Sequence, residues 1–105
     1  MKKPLLDKRE RAVQLAALNR ETTTPWEATS DAICKTFVFE NFIEAMGFMV
    51  QAAIIAEKMN HHPDWCNVYR TVIVKLSTHE SGGVTELDYE LARQMDRLTS
   101  PPELS

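Results

Sequence analysis

Residues 26–40, WEATSDAICKTFVFE, decide the fold. A polar break at Ser30-Asp31 divides the stretch, and β-branched and aromatic residues dominate its second half. The spacing predicts two short strands around a turn. Ile33, Lys35, Phe37 and Phe39 share one strand face, and Cys34, Thr36 and Val38 share the other. Two strands in immediate succession point to a hairpin, which is antiparallel pairing.

The flanks fit this reading. Upstream, residues 7–19 (DKRERAVQLAALN) predict a helix that Asp7 can cap, with Ala12, Leu15, Ala16 and Leu18 along one side. RETTTP then reads as a loop closed by Pro25. Downstream, residues 41–58 (NFIEAMGFMVQAAIIAEK) give the clearest helix. Phe42, Met46, Met49, Ala53 and Ala56 fall at helical spacing, and Ile43, Val50 and Ile54 form a second apolar row. An apolar surface this broad exceeds what one sheet face requires, so its outer edge is a candidate subunit contact.

Residues 67–78 (NVYRTVIVKLST) alternate as one long or two short strands, with Val68, Val72, Val74 and Leu76 on one face. HESGGV is a turn. Residues 85–98 form a last helix with an inner stripe of Leu87, Leu91, Met95 and Leu98. Strands in adjacent pairs among three helices indicate the α+β class: an antiparallel sheet with the helices on one face. A chain of 105 residues is expected to be one domain, with a core over about 22–98, an N-terminal helix within 1–20 and a frayed tail at 99–105.

Charge narrows the function. The net charge is −3, but residues 1–20 net +4 and the remainder nets −7. An acidic body lacks the basic footprint of direct nucleic-acid binding. No apolar run approaches the ~20 residues of a membrane span, and no signal-peptide core opens the chain. Asp7 and Glu10 count against an organellar presequence. Cys34 and Cys66 make no C-x-x-C, so a reducing compartment is expected.

All three histidines fall within 19 residues: His61 and His62 in AEKMNHHPDW, His79 in LSTHESGG. Three readings compete. They are incidental; or they hold a metal; or they move protons. Adjacent residues seldom aim at one ion, no H-x-x-x-H spacing occurs, and Pro63 drives His62 towards extended backbone, which speaks against metal. Histidine exchanges protons near neutrality, so His61, His62 and His79 suit an acid–base site. Glu57 and Asp88 are candidates to orient an imidazole. Each also has a structural reading, Glu57 as a solvated carboxylate and Asp88 as part of a variant capping box with Thr85, which is the favoured reading for Asp88. Trp65 offers a flat apolar wall.

AEKMNHHPDW, then NVY, then LSTHESGGVTELD closely resemble the blocks of the pterin-4a-carbinolamine dehydratase family, known in animals also as a dimerisation cofactor of a homeodomain transcription factor. Phe37, Phe39, Phe42, Phe48 and Met49 fit the same pattern. The resemblance runs from about residue 26 to residue 95. It implies the fold order helix-strand-strand-helix-strand-strand-helix and a dimeric or tetrameric assembly. It implies dehydration of 4a-hydroxytetrahydropterin to quinonoid dihydropterin in tetrahydrobiopterin recycling, with no metal, nucleotide or redox cofactor. His61 and His79 match the proton-transfer positions, and His62 the pterin-orienting one. Pro63 matches the loop position and Trp65 the pocket wall, while Glu57, Asn60, Thr78 and Asp88 match supporting positions. The chain departs from the pattern at Asn60, where many members carry an acid able to raise an imidazole's pKa, and at Cys66, where an aromatic is frequent. The resemblance leaves a second class of function open, an interaction protein stabilising a transcription-factor dimer through helix 41–58, and a third, a role in molybdenum-cofactor metabolism. The expected location is the cytoplasm, with nucleus and organelle left open.

Overall fold

The structure, a computed structural model, describes residues 3–99. Helix α1 spans Lys8–Arg20, strands β1 and β2 span Glu27–Ala28 and Ile33–Val38, and helix α2 spans Phe42–Met59. Strands β3 and β4 span Asp64–Val68 and Thr71–Leu76, a single 3-10 turn covers His79–Ser81, and helix α3 spans Glu86–Thr99. The sheet order is β1-β2-β4-β3 with every pair antiparallel. This is the predicted α+β order. Of residues 99–105, expected as a frayed tail, Thr99 instead ends α3, and 100–105 lie outside the described residues. No helix of the described residues is long and apolar enough to cross a membrane.

Local chemistry sets the helix starts. Asp7 caps α1 in a full capping box with Glu10. Asn41 caps α2 by accepting from the Glu44 N–H at 2.9 Å. The core lies between the helices and one sheet face. Ile33, Phe37, Val72, Val74 and Leu76 point into it, against Phe48, Leu91, Ala92 and Met95. Lys35 enters from the same face and pairs with Asp96 at 2.8 Å, while the Trp26 indole N–H donates to the same carboxylate. A buried ion pair persists only when its partners are satisfied in this way.

Three expectations need correction. The run over residues 67–78, read as one long or two short strands with Val68 on the face of Val72, forms two, and Val68 leaves that face. The run folds back at Tyr69-Arg70, and β3 begins already at Asp64. Tyr69 takes φ 53°, the left-handed conformation that the tight turn requires. The fold-back places Val68 opposite Thr71, on the outer face, where it is exposed rather than buried with Val72. In α2 the inward row is Ala45, Phe48, Ala52 and Ala56, while Phe42 and Ala53 are exposed. Three alanines in that row let the helix approach its neighbours closely, so burial there follows small volume rather than hydrophobic size. In α1, Leu18 is buried and Leu15 partly so, but Ala12 and Ala16 face out.

Candidate functional site

The chain turns sharply at the end of α2. Asn60 takes φ 52°, and the N–H of His61 closes back onto the Ala56 carbonyl at 3.0 Å. Asparagine tolerates this conformation better than most residues, so Asn60 ends the helix and aims the two histidines after it. His61 is driven inwards and His62 outwards.

His61 is buried, and its Nε2 lies 2.6 Å from Asp88 Oδ1. Asp88 is fully buried in the first turn of α3. Its other oxygen accepts from the Thr78 hydroxyl at 2.8 Å and from the Thr85 N–H at 2.9 Å. An ionised carboxylate accepts only, so Nε2 carries the hydrogen and Nδ1 is left as the ring's acceptor. Thr78 has one proton, which goes to Asp88, so the Thr85 hydroxyl donates to Thr78 at 2.7 Å. Thr85 in turn accepts from the Leu87 N–H at 3.2 Å. The capping reading of Asp88 and its imidazole-orienting reading are therefore both realised, one on each carboxylate oxygen. Three charge-assisted hydrogen bonds offset the cost of burying this group.

His62 is exposed, and its Nε2 lies 2.7 Å from Glu57 Oε1, one turn back on α2. His79 is exposed and heads the 3-10 turn. The turn is held by the Thr78 carbonyl, which accepts from the N–H groups of Ser81, Gly82 and Gly83. Gly82 adopts φ 77°, which glycine takes without strain. The N-terminal arm braces the turn from outside. The Ser81 hydroxyl donates to the Lys3 carbonyl and the Leu6 N–H to the Val84 carbonyl.

These elements enclose a hollow of about 550 Å³ lined by His61, His62, His79, Thr78, Asn60 and Ser77 among others. Pro63 lines a neighbouring hollow. Trp65 lines neither. It faces the core beside Val74 and is half-buried, so the pocket wall expected of it is absent from this chain's own lining. Residues that the sequence did not single out also line these hollows, among them Ser77 and Lys75. The one available signal was strand alternation, which puts Lys75 and Ser77 on one face. A larger hollow, about 780 Å³, lies by Lys35, Phe37 and Arg70 and shares no lining residue with the histidines. The convergence of titratable groups, not volume, marks the site.

Among the described residues no three His, Cys, Asp or Glu side chains are placed to hold a metal ion. Both cysteines are free, and burial pushes the Cys34 thiol above its ordinary 9.0 despite the nearby Lys75, which makes it a poor nucleophile.

A family model described as pterin 4 alpha carbinolamine dehydratase matches residues 4–98, so it takes in the N-terminal helix, which lies outside the stretch that carries the resemblance. A Jannaschia protein is 55% identical over 95 residues, covering 89% of this chain and 94% of that protein. A Chelativorans protein is 49% identical over 98 residues, covering 91% and 95%. Both carry the name "Putative pterin-4-alpha-carbinolamine dehydratase". The crystal structure of a Brucella melitensis protein, titled a transcriptional coactivator/pterin dehydratase, superposes with TM-score 0.82 at 42% identity, covering 90% of this chain and 98% of that one. A pterin dehydratase-like protein identified as a RuBisCO assembly factor in the alpha-carboxysome superposes with TM-score 0.61 at 18% identity, a likeness of fold alone.

Proposed function

Since the chain belongs to the pterin 4 alpha carbinolamine dehydratase family, we propose that it dehydrates 4a-hydroxytetrahydropterin to quinonoid dihydropterin and so serves tetrahydrobiopterin recycling. The observation that carries the reading is the buried His61–Asp88 pair on a hollow that His62 and His79 also line. In this reaction the N5 lone pair forms the N5=C4a bond as the C4a–O bond breaks. One proton must leave N5 and one must reach the departing hydroxyl.

His61 and His79 divide these two transfers. Asp88 fixes the tautomer and ring plane of His61, leaving Nδ1 to exchange the proton and stabilising the imidazolium when it forms. His62, turned outwards and held by Glu57, contacts the ring system and orients it. Asn60 and Pro63 set the course of the loop, and Thr78 holds Asp88. No cofactor takes part in the bond changes. The free cysteines suit a reducing compartment such as the cytoplasm.

The test is rapid-mixing absorbance of 4a-hydroxytetrahydropterin decay. His61→Ala is expected to lower the turnover rate about 10²–10⁴-fold, the usual contribution of a placed acid–base group. A wild-type protein no faster than buffer would sink the assignment.

One observation favours a second reading. On α2, Ile43 is 80% exposed, and Val50 and Ile54 are each 58% exposed, in one outward strip. Such a strip suits protein docking, either a second copy in a homodimer or homotetramer or the dimerisation helices of a transcription factor. Co-purification of such a factor with a catalytically silent protein would favour it.

A further inference from the structure

The histidine hollow does not stand alone. A second hollow of about 510 Å³ adjoins it, and His62, Ser77, Thr78 and His79 line both, forming a shared ridge. Beyond the ridge the lining comes from Asp31, Asp64, Lys75, Pro63 and the glycines 82 and 83. The lining has one apolar side chain, Pro63. Its far wall is a row of charges: Asp64 stands opposite Lys75 in the β3–β4 register, and Asp31 comes from the β1–β2 turn. Two carboxylates face one ammonium.

Substrate geometry leads across the ridge. In a pterin, C6 is bonded to N5, the atom that gives up the proton. A substituent on C6 therefore leaves the ring from the reacting edge. With that edge at His61 and His79, the substituent crosses the shared ridge and enters the second hollow. We propose that Asp64, Lys75 and Asp31 are specificity-determining residues for this C6 substituent, and that they select a neutral, polyhydroxylated chain over a plain alkyl or an anionic one. This rests on the dehydratase reading above. Hydroxyls donate to the two carboxylates and accept from the Lys75 ammonium. A phosphorylated chain meets more negative charge than positive. An alkyl chain makes neither kind of hydrogen bond.

The experiment compares kcat/KM for three 4a-hydroxytetrahydropterins, bearing 6-methyl, 6-trihydroxypropyl and a phosphorylated hydroxypropyl chain. The wild type is expected to prefer the trihydroxypropyl substrate over either other by about tenfold, the yield of two modest hydrogen bonds. In the double variant Asp64→Ala/Lys75→Ala the preference over 6-methyl is expected to fall to within about twofold of unity on the same scale. Both residues are exposed at the surface, so the fold tolerates the change, and a far-ultraviolet dichroism spectrum checks it. A wild-type preference near unity, or one that the double variant leaves intact, overturns the subsite while the dehydratase reading stands. A wild type that accelerates none of the three overturns both.

Discussion

At the residue scale, Asp88 carries two tasks on one buried carboxylate. It serves His61 through one oxygen and holds Thr78 and the start of α3 through the other. Asp88→Asn keeps the shape but turns one acceptor into a donor, so one of three partners faces a clash of donors. The expected loss is about 1–3 kcal/mol of stability, read by urea unfolding. Turnover is expected to fall together with its pH profile, because His61 then loses the charge that fixes its tautomer. A variant with wild-type kinetics and a wild-type pH profile would restrict Asp88 to its capping role. The sequence made both roles of Asp88 legible and offered them as alternatives. That they coexist depends on two oxygens facing different elements, which spacing along one helix does not reveal. The histidine cluster was legible for a simpler reason, the nearness of the three in the chain.

At the element scale, the hairpin of β3 and β4 was the least legible part. Hairpins usually announce themselves by glycine or asparagine at the turn, and here the left-handed position is Tyr69. Alternation continues through the turn without a visible break, so the sequence leaves one long strand and two short ones both open. The strain at Tyr69 is therefore open to relief. Tyr69→Gly is expected to raise stability by about 0.5–1 kcal/mol in chemical denaturation, since glycine takes the same angles freely and the ring it removes is exposed. A loss of stability would mean that the ring makes contacts worth more than the strain. The phase of α2 was hidden in another way. Nearly every position is apolar, so periodicity marks a helix but not its inward side, and the large residues drew attention from the alanines that pack.

At the scale of the whole molecule, two polar networks tie distant segments. One joins α2, the end of β4 and α3 at the histidines. The other joins Thr22, Trp26, Lys35 and Asp96 between the sheet and the far end of α3. The overall order of elements was legible because it needs only strand pairs and helix stripes. The second network was not, because Lys35 reads as an ordinary strand lysine until Asp96, 61 residues on, comes beside it. Lys35→Met removes this cation from beside the buried Asp96 carboxylate. The expected cost is about 3–5 kcal/mol in the unfolding free energy. A cost below about 1 kcal/mol would mean that water reaches Asp96 and that the pair acts as a surface bridge.

The relay from Thr85 through Thr78 and Asp88 to His61 draws on three stretches of chain that meet only in the finished fold. A partly folded chain thus holds all the chemical groups and none of the alignment. Under the proposed dehydratase reading such a chain is expected to be inert rather than a slow catalyst. If the dehydratase reading proposed above holds, activity is a census of native molecules: specific activity divided by its ceiling is the folded fraction of the sample.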